Sequence, residues 1–118
     1  MTKVTRMDII FKNSKFQKIC ENYKLAQKNY GLRLSKLLFK RLSEIKAATS
    51  LEVLRILPQA RCHELRENRK GQLAVDLQHP KRLIFTIANN PKPVKKDGGL
   101  DWSKVTAVRI IGIEDYHK

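Results

Sequence analysis

Hydrophobic positions change their period along the chain. Apolar residues recur at helical spacing over residues 16–30 and again over 34–45, with Gly31 between the two series. Because glycine commonly ends helices, this pattern predicts a helical hairpin. The short apolar segment RMDIIF at residues 6–11 predicts a strand ahead of the hairpin.

Beyond the hairpin the pattern becomes strand-like. The segment TSLE at 49–52 predicts a capping box that starts a short helix, and Pro58 ends that helix. Strands are then predicted at residues 60–67, 72–77, 81–88 and 105–113. The segment KRLIFTIA is nearly all apolar after its two cations, which indicates a central strand covered on both faces.

The expected fold class is therefore α+β, in a single domain that spans residues 1–118. An N-terminal strand and a helical hairpin pack on a mostly antiparallel sheet of about four to five strands. Residues 89–101 form a basic loop rich in proline and glycine, and the following DWSKV predicts one helical turn.

Charge is the strongest global feature. The chain has 25 Lys and Arg against 11 Asp and Glu, a formal net charge of +14. Such an excess favours a polyanionic partner: RNA, DNA, a ribosome, an anionic membrane or an acidic protein. Arg33, Lys36 and Lys40 share one helical face, which we interpret as phosphate-facing rather than as a merely solvated surface.

Other features narrow the class of protein. Cys20 and Cys62 show no metal-binding spacing and suit a reduced compartment at least as well as a disulfide. We interpret them as two small buried hydrophobic residues. The chain begins without the apolar core of a signal peptide, and no apolar run approaches the roughly 20 residues of a membrane span. We therefore expect a soluble cytoplasmic protein with no membrane partner, no metal and no cofactor.

Residues able to move protons or bind phosphate are concentrated in the C-terminal half. They are His63, Arg66, Arg69, Lys70, Arg82, Asp115, Tyr116 and His117. If the strands are neighbours, these side chains converge on one face or edge of the sheet. Metal-free RNA cleavage needs such a group: a base for the ribose 2′-hydroxyl, cations for the phosphorane and an acid for the leaving 5′-oxygen. The alternative is that any basic α+β domain has some residues of these types.

Two segments of the chain resemble a known family. Residues 114–117, EDYH, follow the terminal strand. Residues 61–87 contain a histidine, a basic residue three places on, a glycine turn, a strand, and an arginine that opens an aromatic-containing strand. In these features the chain resembles the HigB-type toxins, the plasmid maintenance system killer proteins of the RelE/ParE superfamily. The match covers roughly a third of the chain, and the helical hairpin fits in order and length without a specific motif.

The resemblance implies a fold, an activity and partners. The fold is compact and RelE-like. The activity is that of a type II toxin–antitoxin toxin, a ribosome-dependent and metal-independent mRNA endonuclease (mRNA interferase) that inhibits translation. The partners are mRNA on the ribosome and a cognate helix-turn-helix antitoxin of HigA type, with which the toxin forms an oligomer. No cofactor is implied.

The resemblance also assigns roles to residues. The implied catalytic set is His63, Arg82, Asp115, Tyr116 and His117. Arg82 matches a phosphate-stabilising arginine, Asp115 and His117 match proton-transfer groups, and Tyr116 orients or stacks on a base. The implied substrate-binding residues are Arg66, the basic partner of His63, with Arg69, Lys70, Gln78, Lys81, Arg33, Lys36 and Lys40.

The chain departs from the family pattern at two places. Gln78 stands where many relatives have a second arginine, so that phosphate contact is either lost or moved to Lys81 or Lys70. The long loop 89–104 replaces what is commonly a tight hairpin, and Lys118 follows the terminal histidine. Both departures bear on catalytic strength more than on the fold.

Other functions stay open from sequence alone. A non-catalytic toxin of the ParE-like branch would poison gyrase, and a basic nucleic-acid-binding protein would bind without cutting. Relatives in the ParE branch generally lack the full EDYH ending, which favours the nuclease. Asp115 has a structural alternative, pairing with Arg109 or a lysine. For the antitoxin we expect an acidic, partly helical segment on the Arg33, Lys36 and Lys40 face or along the strands.

Overall fold

The computed structural model describes residues 6–66, 69 and 71–115. In chain order the elements are β1 (Asp8–Phe11), α1 (Ser14–Cys20), α2 (Tyr23–Ala47), α3 (Leu51–Ile56), β2 (His63–Glu64), β3 (Gln72–Asp76), β4 (Lys81–Ile87), a 3₁₀ turn (Trp102–Lys104) and β5 (Ala107–Asp115). Among these described residues, no helix combines the length and apolar character that crossing a membrane requires.

The five strands form one mixed sheet in the order β1-β5-β4-β3-β2. β1 runs parallel to β5, and the other neighbouring strands are antiparallel. β4 lies in the middle with Leu83, Ile84 and Phe85 all buried, as its apolar run predicts. The predicted α+β class is confirmed, and the arrangement is consistent with the RelE-like fold that the resemblance implies.

The hydrophobic core lies on one face of the sheet. Leu73 and Val75 of β3 join Leu83 and Phe85 of β4 in a single cluster, which also contains residues of all three helices such as Leu38. Because successive strand residues point to opposite faces, the alternate residues face away from the helices. We call the two sides the helix face and the open face.

The helical region has two interruptions where one was predicted. Gly31 does break the helical geometry, with φ 82° and ψ 172°, and it kinks α2. A further break separates α1 from α2, because the Asn22 side chain accepts a hydrogen bond from the Leu25 N–H at 3.1 Å and starts a new helix.

The short helix α3 is present, but its predicted capping box is wrong. Ser50, not Thr49, is the N-cap residue of α3, and its side chain makes no capping hydrogen bond. Glu52 instead pairs with Arg55 one turn along the helix, at 2.6 Å. Tertiary packing therefore holds this helix, since Leu51 and Leu54 are fully buried.

The strand predicted at 60–67 is reduced to His63–Glu64. Arg61 has a left-handed backbone with φ 45°, which an extended strand cannot accommodate. The segment is nevertheless tied to the sheet, because the Asp76 N–H donates to the Ala60 carbonyl at 2.8 Å.

Both cysteines are free thiols within the core, as the sequence predicts. Burial, with a smaller contribution from the neighbouring Glu21 carboxylate, raises the pKa of Cys20 to about 12. Burial also raises the pKa of Cys62 to about 12, against a smaller opposing effect of Arg55. Both side chains are therefore neutral at physiological pH and act as small apolar residues.

The charged side chain of Arg41 lies in the protein interior. Arg41 of α2 is only 5% exposed. Its Nε donates to the Asp76 carbonyl at 2.7 Å, and its Nη2 donates to the Gln59 carbonyl at 2.8 Å. A third contact joins Nη1 to the Glu44 carboxylate at 3.2 Å. Arg41 therefore links the helix to the end of β3 and to the segment that leads into β2.

We expect Arg41→Met to destabilise the fold by roughly 3 kcal/mol, because two inward carbonyls lose charged donors while the aliphatic stem is kept. Urea unfolding followed by circular dichroism measures the change. Lys40→Met is the matched control on the exposed side of the same helix, and it should stay within about 0.5 kcal/mol of wild type. Equal stability of the two variants would contradict this role for Arg41.

Candidate functional site

A row of charged side chains crosses the open face at one end of the sheet. Asp76 of β3 pairs with Arg82 of β4, and Arg82 pairs with Glu114 of β5. Directly paired residues point to the same face, and these three alternate with residues of the core. Arg82 is 8% exposed, so its guanidinium is held among its neighbours rather than in solvent.

His63 lies in the next row of the open face. It pairs with Ala74, and Ala74 pairs with Ile84. β2 is an edge strand, so the imidazole stands at the border of the open face. Asp76 is two residues beyond Ala74 on β3, which places its side chain between the strand of His63 and the strand of Arg82.

Arg69 bridges the open face from the segment between β2 and β3. Its Nε donates to the Gln72 Oε1 and its Nη2 to the Glu114 Oε1, both at 2.7 Å. Gln72 and Glu114 belong to rows on either side of the Ala74–Ile84 row. The guanidinium therefore spans the Ala74–Ile84 row in the middle of the open face, and both of these residues are completely buried.

The His63 ring is oriented by a backbone group. Its Nδ1 lies 2.7 Å from the Arg61 carbonyl oxygen. A carbonyl can only accept a hydrogen bond, so in the neutral ring Nδ1 bears the hydrogen and Nε2 keeps a lone pair. This arrangement leaves Nε2 as a proton acceptor.

Acids and cations are matched across this region. Arg61 contacts Asp76, Arg69 contacts Glu114 and Lys81 contacts Asp115, each at 2.7 Å. The side chains of these pairs are between a third and two thirds exposed, so each pair stabilises the protein by about 1 kcal/mol or less. A phosphate group can therefore compete with these carboxylates for the cations.

Asp115 lies at the same end of the sheet as Arg82 but on the other face. It pairs with Lys81, the neighbour of Arg82 on β4, and accepts a hydrogen bond from the Lys81 Nζ. Of the two arrangements expected from the sequence, one face or one edge, Asp115 therefore shares with Arg82 the end of the sheet but not the face. Its pairing with a lysine is the structural alternative that the sequence left open.

The other candidate residues of the strand region are spread more widely. Arg66 is exposed just beyond β2. Gln78 is half-buried in the turn between β3 and β4, where its carbonyl accepts the Lys81 N–H at 2.8 Å. Lys70, Tyr116 and His117 lie outside the described residues, as does Lys118.

The basic helical face is a separate surface. Arg33, Lys36 and Lys40 are all exposed on α2, whose buried side packs on the helix face of the sheet. They cannot act together with Arg82 on one phosphate, because the sheet and the helix lie between them. Leu32 beside them is 60% exposed, and it borders a shallow depression with Arg33, Lys36 and Leu37.

Four residues of the open face were missed by the sequence analysis: Arg61, Gln72, Asp76 and Glu114. Strand alternation could have placed Gln72 and Asp76 opposite the apolar residues of β3. The position of Arg61 follows from its left-handed backbone, and that of Glu114 follows from the register shift between β4 and β5. Neither feature can be predicted from the hydrophobic pattern.

Across the described part of the chain, no group of three His, Cys, Asp or Glu residues could hold a metal ion. Comparisons with known protein families, with curated proteins and with solved structures found no match to this chain.

Glu114→Gln tests whether the open face binds a polyanion. Removing this carboxylate beside Arg69 and Arg82 should tighten binding of a single-stranded RNA oligonucleotide roughly fivefold, which corresponds to about 1 kcal/mol. The slope of log affinity against log salt should steepen by about 0.7, the value for one further phosphate contact. Fluorescence anisotropy over a salt series measures both quantities.

Glu52→Gln is the matched control. It makes the same charge change next to an arginine, Arg55, but on α3 at the far side of the sheet. Its affinity should stay close to that of wild type. An equal increase in both variants would show that only net charge matters and that RNA does not occupy the open face.

Proposed function

We propose that this chain is the toxin of a type II toxin–antitoxin system and that it cleaves mRNA on the ribosome, in the cytoplasm and without a metal. The observation that supports the proposal is the open face, where His63, Arg69 and Arg82 share one surface of the sheet. An imidazole with a lone pair on Nε2 and two guanidinium groups supply the base and the cations that metal-free cleavage of RNA requires.

The chemistry assigned to this face is an internal transfer of the phosphodiester. A base removes the proton of the ribose 2′-hydroxyl, and the 2′-oxygen forms a new bond to phosphorus. Arg82 and Arg69 stabilise the negative charge of the phosphorane, after the phosphate has displaced the carboxylate of Glu114. The bond from phosphorus to the 5′-oxygen then breaks, and the 5′-oxygen takes up a proton.

The resemblance supplies the remaining roles. His117 is our candidate for a second proton-transfer group, and Tyr116 is our candidate for base stacking. The ribosome is the expected site of action, and the charge of +14 suits association with ribosomal RNA.

Cleavage in a reconstituted translation system tests the proposal. With ribosomes present, wild type should cut mRNA within translated codons. His63→Gln and His117→Ala should each slow cleavage by about 100-fold or more, the usual contribution of a positioned acid or base. Without ribosomes, the message should remain intact.

Lys18→Ala is the control, since Lys18 is exposed on α1 and away from the open face. It should cut at the rate of wild type. Intact message with every variant and with wild type would refute the nuclease. A DNA damage response with intact mRNA would then indicate a gyrase poison, and salt-sensitive RNA binding without growth arrest would indicate a plain binding protein.

The antitoxin is the second proposed partner, and we place its contact on the basic face of α2. Arg33, Lys36 and Lys40 attract acidic residues, and the exposed Leu32 beside them offers an apolar contact. The depression bordered by Leu32, Arg33 and Lys36 has a volume of about 550 Å³. An amphipathic acidic helix would bury Leu32 while its carboxylates meet the cations.

Charge reversal tests this contact. Changing Arg33, Lys36 and Lys40 together to Glu should weaken binding of the cognate antitoxin by at least 100-fold in calorimetry, because attraction becomes repulsion. mRNA cleavage should persist. The control reverses Lys12, Lys15 and Lys18, which are exposed near and on α1 and give the same change in net charge. Tight antitoxin binding by the first variant would place the contact elsewhere.

A further inference from the structure

Arg61 has an unusual backbone conformation. It is the one non-glycine residue with a positive φ in the described part of the chain, and the value is 45°. Such a conformation is unfavourable for an L-residue, so its surroundings must hold it in place. Ala60 before it and Cys62 after it are both buried, which fixes the chain on either side.

An ion pair holds the Arg61 side chain. Its Nε donates to the Asp76 Oδ2 at 2.7 Å, and its Nη2 approaches the Oδ1 at 3.4 Å. The Asp76 main chain is itself fixed, because its N–H donates to Ala60 and its carbonyl accepts from the buried Arg41. The carboxylate of Asp76 is therefore held in a fixed position, and it fixes the Arg61 side chain in turn.

The carbonyl of Arg61 is the group that contacts His63. The left-handed backbone turns this carbonyl toward the imidazole two residues on, where it accepts the Nδ1 hydrogen at 2.7 Å. If Arg61 relaxed to an extended conformation, the carbonyl would turn and the ring would lose the partner that selects its tautomer. Without such a partner a histidine is free to exchange between tautomers and rotamers.

We infer that Asp76 and Arg61 are positioning residues, which hold His63 in the Nδ1–H tautomer so that Nε2 is the base for the ribose 2′-hydroxyl. This inference rests on the proposed function, and it assigns the base that the resemblance leaves undecided. The 2′-hydroxyl proton passes to Nε2 as the 2′-oxygen bonds to phosphorus. The bond from phosphorus to the 5′-oxygen breaks, and the 5′-oxygen takes its proton from a second group, for which His117 is the candidate.

Asp76→Asn tests the inference with two independent measurements. The first is the side-chain ¹⁵N spectrum of His63 in the free protein, which distinguishes the tautomers without any RNA. Wild type should show the Nδ1–H tautomer alone, and Asp76→Asn should show a mixture. The second is ribosome-dependent cleavage, where Asp76→Asn should lower kcat about tenfold at unchanged KM, because binding groups are kept while the base is misplaced.

Variants at Arg61 separate the backbone from the side chain. Arg61→Gly loses the guanidinium but accepts the left-handed conformation, whereas Arg61→Val disfavours it. The cleavage rate and the fraction of His63 in the Nδ1–H tautomer should therefore both be highest in wild type, lower in Arg61→Gly and lowest in Arg61→Val. Asp101→Asn removes a carboxylate near the 3₁₀ turn and should leave both measurements unchanged.

The outcomes distinguish the inference from the function on which it rests. An Nε2–H tautomer in wild type, or an unchanged tautomer in Asp76→Asn, overturns the inference even if RNA is cut. A fixed Nδ1–H tautomer in a wild type that cuts no RNA refutes the proposed nuclease, and with it the catalytic role given to Nε2. A tautomer change accompanied by the tenfold loss of kcat supports both.

Discussion

The buried guanidinium of Arg41 is the contact on which the rest of the structure depends. It joins α2 to the main chain at Asp76 and at Gln59, two points that are distant in sequence. A buried arginine is tolerated only when its charge and its donors are satisfied, so both carbonyls must stay in place. From Asp76 the constraint continues through an ion pair to Arg61, and through the Arg61 carbonyl to His63. The position of His63 on the open face therefore depends on a contact made in the core.

Much of the fold could be predicted from the period of the hydrophobic residues. The central position of β4 follows from its apolar run, and the kink at Gly31 follows from the gap between two helical series. The break at Asn22 could not be found in the same way, because the apolar series continues across it. The burial of Arg41 could not be predicted either. In an amphipathic helix pattern a cation is expected on the solvent-exposed side, and only the structure shows the carbonyls that Arg41 contacts.

The charges of the open face explain how a protein with a net charge of +14 keeps several cations close together. Arg61 and Arg69 each have a carboxylate partner at 2.7 Å on this face, and Lys81 has one at the same distance on the helix face. These partners lower the repulsion among the cations in the free protein, yet each pair is weak enough for a phosphate to replace it. The acidic residues of this site therefore reduce the repulsion among its cations before a phosphate binds. A search of the sequence for phosphate-binding residues does not find them, because it looks for cations.

The candidate site was harder to predict than the fold, and a single residue shows why. Phe85 pairs with Ile110 while Ile84 pairs with Gly112, so Ile111 is an extra residue in β5. Strict alternation from Ile110 would put Asp115 on the open face with Arg82, but the extra residue reverses the phase of all that follows. Glu114 therefore meets Arg69, and Asp115 meets Lys81. Sequence alone identifies which residue types can do the chemistry, but register decides which of them meet.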